Sequence, residues 1–436
     1  MTEQLRHGVR LIDLVMLGAG TAIGASIFSV LGPAAQVGHE GILVACMLAA
    51  LPMVLFGLVY AYMASAVPRT AASFEWQRQF THPIIAFGIV WLRILSNAVV
   101  MIVLGTVLVN YLGKVIAIPG KPVMFALFLA VFVLNYLGVA IAARAQTVMM
   151  LMLLAVFAVF VAAGAPQLKP QLIVDSMSVG WLPIVAALPL MIQLFLGIET
   201  TTEVGEEVAD PKRVVPLGLA LALVLTVVVY LAISFTALSL VGAEALAASD
   251  APLLTAAEAA LGGWAMPVIV TAAVLALSKS MNAVFLVFAR FLFAMGRAGV
   301  LPEPLGRIHP RFGTPHVATV VAFGACCLGL FLPSSLLFLL LAVNIPTMMK
   351  YLGSCLAAYN VAHKHPDVHA QARLKFGKGT VMALAVVGMI AAVIIASLGL
   401  TSDWRPYLLL AGWLTLGLIY YAVRRRSAVA TEAQSG

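Results

Sequence analysis

The stretch Gly18–Phe28, GAGTAIGASIF, lies in the middle of an apolar run from Leu11 to about Val30. Gly18, Gly20, Thr21, Gly24 and Ser26 occupy the centre of a segment otherwise fit to cross a membrane. Glycine costs roughly 1 kcal/mol per position in a helix interior, and each backbone group freed by a break must find a new partner within lipid. Such a run is tolerated where the broken backbone faces a cavity inside the protein. Exposed N–H groups at the break, helped by the helix dipole, can then hold an anionic group such as a carboxylate. Small residues also let helices pack closely, so the glycines alone leave two readings open. A second interrupted segment, described below, favours the cavity.

The chain of 436 residues is 63% hydrophobic and 10% charged, with a mean hydropathy of +1.08. Soluble domains carry about 25% charged residues, so the composition is that of a polytopic, all-α membrane protein embedded in the lipid bilayer. The polar start MTEQLRHGVR and the long first apolar run, with no small-residue cleavage site after it, argue against a cleaved secretory signal. Cys46, Cys326, Cys327 and Cys355 all fall in apolar runs, without disulfide or zinc spacing.

Apolar runs predict twelve transmembrane helices, near 11–35, 41–66, 83–112, 122–141, 147–164, 181–205, 216–241, 263–294, 316–332, 335–360, 380–399 and 406–423. Each approaches or exceeds the ~20 residues that cross a bilayer. With a cytoplasmic N-terminus, 17 of the 25 Lys and Arg residues fall inside, four outside and four within spans. That positive-inside bias puts both termini in the cytoplasm and explains the net charge of +8 without nucleic acid. The predicted organisation is a cytoplasmic N-terminus 1–10, a ten-helix core 11–360, a cytoplasmic loop 361–379, two further helices within 380–423 and a disordered tail 424–436.

The third span carries Arg93 and Asn97, four residues apart and on one helical face. Arg93 lies about three turns inside the span, where a charge normally faces protein or a wet cavity. It is read either as half of a buried ion pair or as a contact to an anionic group. The sixth span has Pro183 and Pro189 early, then Gln193, Gly197, Glu199 and Thr200–Thr202, which again predicts unwound backbone. Breaks in spans one and six, five spans apart, fit two five-helix repeats of inverted topology, 11–164 and 181–360. In span eight Lys279 sits near the middle, whereas Arg290 reads as an interfacial anchor near the inner end. Span ten holds Asn344, Pro346, Thr347 and Lys350, a milder break. His363, His365 and His369 read as a solvated loop; no metal or cofactor site is expected.

Four motifs in order resemble those of the amino acid–polyamine–organocation (APC) permeases. They are TAIGASIF at 21–28, YAYMASAVPRTAASFEW at 60–76, FLGIETTTEVGEEVADPKRVVP at 195–216 and ARFLFAMGRAGVLPEPLGRIHPRFGTP at 289–315. The resemblance implies the LeuT-like, five-plus-five inverted-repeat fold with broken helices 1 and 6, plus two C-terminal helices. It places Ile23, Gly24, Ala25 and Ser26 where the family binds a carboxylate and an amine. Phe195, Leu196, Gly197 and Glu199 fall on the unwound sixth helix. Gln193 falls at the position of the aromatic gate of arginine–agmatine antiporters, and Arg93 and Asn97 on the substrate-facing side of the third helix. Ser26 replaces a usual glycine, either intruding on the carboxylate or donating to it. Lys279 stands where sodium-coupled relatives place a sodium ligand, which implies an ammonium in place of that ion.

The resemblance implies a secondary active permease of the cytoplasmic membrane, moving amino acids or related small amino/carboxylate compounds by alternating access. Coupling by protons or exchange, through Lys279 and Glu199, is expected rather than sodium coupling. A polyamine, organocation or organic-acid permease of the same fold, or a non-transporting nutrient sensor, are the alternatives. Arg93 and Lys279 against Glu199 leave net positive charge, which favours a substrate with an extra anionic group unless Arg93 pairs with Glu199. Clustering of polar residues at mid-membrane disfavours a channel, and no nucleophile–base set marks an enzyme.

Overall fold

A computed structural model describes residues 8–435 apart from 25, 114, 117, 250, 331–335 and 399–403. Ala25 of the first motif therefore lies outside the described residues. The described chain is helical and contains no strands, only isolated bridges pairing Val9 with Val208 and Thr70 with Val204.

The first apolar run forms α1 (Leu11–Ala22) and α2 (Ser26–Gly38), followed by α3 (Ile42–Ala66), α4 (Ala72–Phe80) and α5 (Pro83–Gly113). Next come α6 (Gly120–Leu137), α7 (Val139–Gly164), α8 (Gln171–Ser178) and α9 (Trp181–Ile192). The second half holds α10 (Pro211–Ala248), α11 (Pro252–Leu261), α12 (Ala265–Arg297), α13 (His316–Gly329) and α14 (Leu336–Lys364). It closes with α15 (Pro366–Gln371), α16 (Lys378–Leu398) and α17 (Arg405–Ser435). Among the described residues nine helical stretches are long and apolar enough to cross a membrane. The run at 181–205 is not one of them, because its helix stops after 12 residues. The expected disordered tail differs too, since α17 continues through it to Ser435.

Apolar side chains face outward along helical stripes. Met47, Leu51, Val54 and Leu58 are exposed on α3, and Leu217, Leu221, Val224 and Val228 on α10. The spacing of three and four residues puts each set on one face. Lys279, Asn282, Arg290, Glu199 and Glu203 lie buried. Greasy outside and charged inside is the arrangement that lipid, not water, selects.

α1 packs against α10, α7 and α12, so the first break is surrounded by protein. α5 packs against α12 and α14, which places Arg93 beside Thr347 of α14. The last helix is clasped to α5 by reciprocal bonds. Trp91 Nε1 donates to the Trp413 carbonyl at 2.9 Å and Trp413 Nε1 to the Trp91 carbonyl at 2.8 Å.

Candidate functional site: a cavity between two interrupted helices

α1 stops at Ala22, and Ile23 leaves the helical region at φ −74°, ψ 73°. A helix end leaves carbonyls without intrahelical donors and carries partial negative charge. Here side chains from two other helices supply the donors. Lys279 Nζ donates to the Gly20 carbonyl at 2.6 Å and also to the Ile23 carbonyl. Ser280 Oγ donates to Gly20 at 3.2 Å, and Tyr230 OH to the Ala22 carbonyl at 2.6 Å. Lys279 is fully buried, so these carbonyls replace its hydration. The glycines serve close packing as well: a Cβ on Gly18 would meet Thr201, one on Gly20 the Gln146 amide, and one on Gly24 the Ser280 hydroxyl. Both readings of the stretch therefore hold, at different positions.

The second interruption follows α9. Gln193–Phe195 form a 3₁₀ turn, Leu196 is extended at φ −67°, ψ 133°, and Gly197 turns left-handed at φ 106°. Only glycine adopts that conformation without a steric penalty. Ile198–Glu203 then continue as a second 3₁₀ turn. Thr201 Oγ1 donates to the Ile198 carbonyl at 2.9 Å and Thr202 Oγ1 to the Glu199 carbonyl at 2.8 Å, satisfying the irregular backbone.

Glu199 is the hub of this break. Its carboxylate accepts the Gly197 N–H at 3.1 Å, Lys350 Nζ at 2.5 Å, and the Tyr351 hydroxyl. Glu199 thus pairs with Lys350 of α14, and the alternative of an Arg93–Glu199 pair does not form. Arg93 instead donates to Thr347 Oγ1 at 2.8 Å, Asn97 Oδ1 at 2.9 Å and, more weakly, Ser96 Oγ at 3.5 Å.

The breaks meet at a cavity of about 170 Å³. Of the residues anticipated from the sequence, Gly24, Ser26, Arg93, Asn97, Gln193, Leu196, Gly197 and Glu199 line it. Two do not. Ile23 contributes only its carbonyl to Lys279, and its side chain is buried. Phe195 turns away to pack edge-on against Tyr230, ring centroids 5.7 Å apart. Ser26 reaches the Gln193 carbonyl at 3.4 Å, so its hydroxyl bridges the two breaks. Sequence reasoning missed Thr21, Thr200 and Ser280, which also line the cavity, and the part played by Lys350 and Thr347. Val100, Val103, Val284 and Val287 form its apolar surface.

Three further buried polar clusters lie outside the cavity. Arg290 is no interfacial anchor: it is 1% exposed, and its Nε and Nη2 grip both Glu207 oxygens at 3.0 and 3.2 Å. Glu203 accepts the Ser73 N–H at 3.3 Å and the Ser73 hydroxyl, tying the second break to α4. Asn282 bridges Asn135 at 2.9 Å and Gln146 at 3.3 Å, linking α12 to α6 and α7. The histidine loop is less free than expected, because His369 Nδ1 bonds the Tyr62 hydroxyl at 2.8 Å. Among the described residues no group of three or more His, Cys, Asp or Glu is placed to hold a metal ion.

Comparison with known proteins gives a consistent picture. Residues 10–417 match the family model described as amino acid permease. The chain is 26% identical to the branched-chain amino acid permease BcaP of Bacillus subtilis, over 97% of its own length and 94% of that protein. It is 24% identical to the methylthioribose transporter of Bacillus subtilis, over 98% and 95%. An uncharacterized transporter of Mycobacterium tuberculosis is 29% identical over 73% of this chain and 72% of its own.

Proposed function

The chain belongs to the amino acid permease family, as a multi-pass membrane protein, and from that premise we propose that it is a secondary active transporter of small amino/carboxylate compounds. One observation carries the reading: two helix breaks within apolar runs converge on one partly polar cavity. The fold is then the twelve-helix LeuT-like arrangement, with inverted repeats 11–164 and 181–360 and both termini in the cytoplasm. Backbone at Gly24–Ser26 holds the substrate carboxylate, and carbonyls near Phe195 and Leu196 accept from its amine. Gln193 closes over it. Access alternates as the α1–α2 and α9 segments move against their surroundings. The named substrates of similar proteins include branched-chain amino acids and methylthioribose, so family membership alone leaves the solute open.

Lys279 supports coupling by protons or exchange over coupling by sodium. Its ammonium bridges the Gly20 and Ile23 carbonyls, the kind of oxygen pair that would otherwise attract a small cation. Loss of its proton would remove the charge that draws the amine to these two carbonyls, weakening the cross-link between α12 and the end of α1 and easing movement of the break. The test is uptake of labelled amino acids into proteoliposomes with and without an imposed proton gradient. Lys279→Ala is expected to abolish the response to the gradient while counterflow of substrate persists. A full proton response in that variant overturns the coupling scheme, and absence of saturable uptake of any such compound by the unaltered protein overturns the transporter reading.

A further inference from the structure

From the wall formed by α5 and α14, we infer that the transported molecule carries one net negative charge, its extra anionic group seated on Arg93. This deepens the transporter reading and rests on the cavity being the transport site. Arg93 lines the cavity, and among the described residues it has no carboxylate within 4.0 Å. Its partners Thr347, Asn97 and Ser96 are all neutral. They orient the guanidinium without balancing it. Its Nε is buried and unpartnered, and so are Asn97 Nδ2 and Asn344 Oδ1 on the same cavity.

Three residues that line the cavity, Arg93, Asn97 and Asn344, thus keep hydrogen-bonding capacity that the described protein does not use. Two of the three atoms are donors, and an Nε–H beside a partly used Nη2 is the edge with which arginine grips a carboxylate side-on. Charge gives the same answer. Of the three charged residues that line the cavity, Lys350 is paired with Glu199. Arg93 is left over. A zwitterion adds nothing to that sum; a zwitterion with a second carboxylate brings it to zero.

The experiment compares glutamate with glutamine and aspartate with asparagine, pairs matched in shape, together with leucine. The full-length protein is assayed in proteoliposomes, in gluconate and in chloride. Unaltered protein should favour each acid over its amide by at least about tenfold. Arg93→Gln should weaken the acids on the order of 10²-fold while amides change by less than about threefold, with Arg93→Lys in between. If Arg93→Gln fails to fold, the acid/amide ratio of the unaltered protein decides alone. Uptake of amides or leucine equal to or above that of the acids overturns the inference and leaves the transporter reading standing. So does uptake of neutral substrates that requires chloride, which would make an inorganic anion the partner of Arg93. Failure to carry glutamate or aspartate overturns the inference, whereas the transporter reading falls only with the broader uptake test above.

Discussion

The Glu199–Lys350 pair joins the second break to α14, and its energetic weight can be worked out before it is measured. The two side chains are 6% and 3% exposed, so water screens little of their 2.5 Å contact. Removing one member of a buried pair strands the other charge and typically costs about 3–5 kcal/mol. Lys350→Met leaves the carboxylate with the Gly197 N–H and the Tyr351 hydroxyl. Those two donors offset part of the loss, so about 3 kcal/mol is expected. Glu199→Gln leaves the ammonium without its counter-charge; an amide oxygen at the Oε2 position keeps the Gly197 N–H and the Tyr351 hydroxyl but ends the Lys350 contact, and about 4 kcal/mol is expected. The double variant holds no stranded charge and should recover about 2–3 kcal/mol relative to additivity. Reversible unfolding of the purified protein in mixed micelles, titrated with a denaturing detergent, reads all four corners of the cycle. Additivity within about 0.5 kcal/mol would refute the reasoning, since uncoupled sites behave that way.

Gly197→Ala should destabilise by about 1–3 kcal/mol, because φ of 106° is strained for any residue with a Cβ, which would also meet Thr21; a loss below about 0.5 kcal/mol in the same titration, within the range of neutral surface changes, would contradict the left-handed turn. Arg290→Met should cost about 3–5 kcal/mol by stranding Glu207, and adding Glu207→Gln should restore most of it. Were the single change harmless, the side-on pair would not be a buried charge contact.

Both breaks were legible in the sequence because glycine and hydroxyl residues at the centre of a lipid-length run have few other uses. Lys279 was legible for a related reason: a cation among apolar neighbours must be held by something, although its acceptors, 256 and 259 positions away, could not be read. The Glu199 partner was not legible. Three cations within apolar runs, Arg93, Lys279 and Lys350, were candidates, and pairing across 151 positions depends on where the 3₁₀ turn Ile198–Glu203 comes to lie against α14. Arg290 was misread because a hydropathy run reports depth in the membrane but not which side of a helix meets protein. Phe195 turned away for a backbone reason: within the 3₁₀ turn successive side chains point about 120° apart, so Gln193 and Leu196 share the cavity face and Phe195 does not.

The amine that braces the end of α1 belongs to the chain itself. A free ion resting on the Gly20 and Ile23 oxygens would be diluted away by dialysis or displaced by a competitor. Lys279 hangs there on a four-carbon leash, so its occupancy answers to helix movement and to its own proton and not to the salts of the bath. Exchanging every salt in the medium would leave this joint as it was.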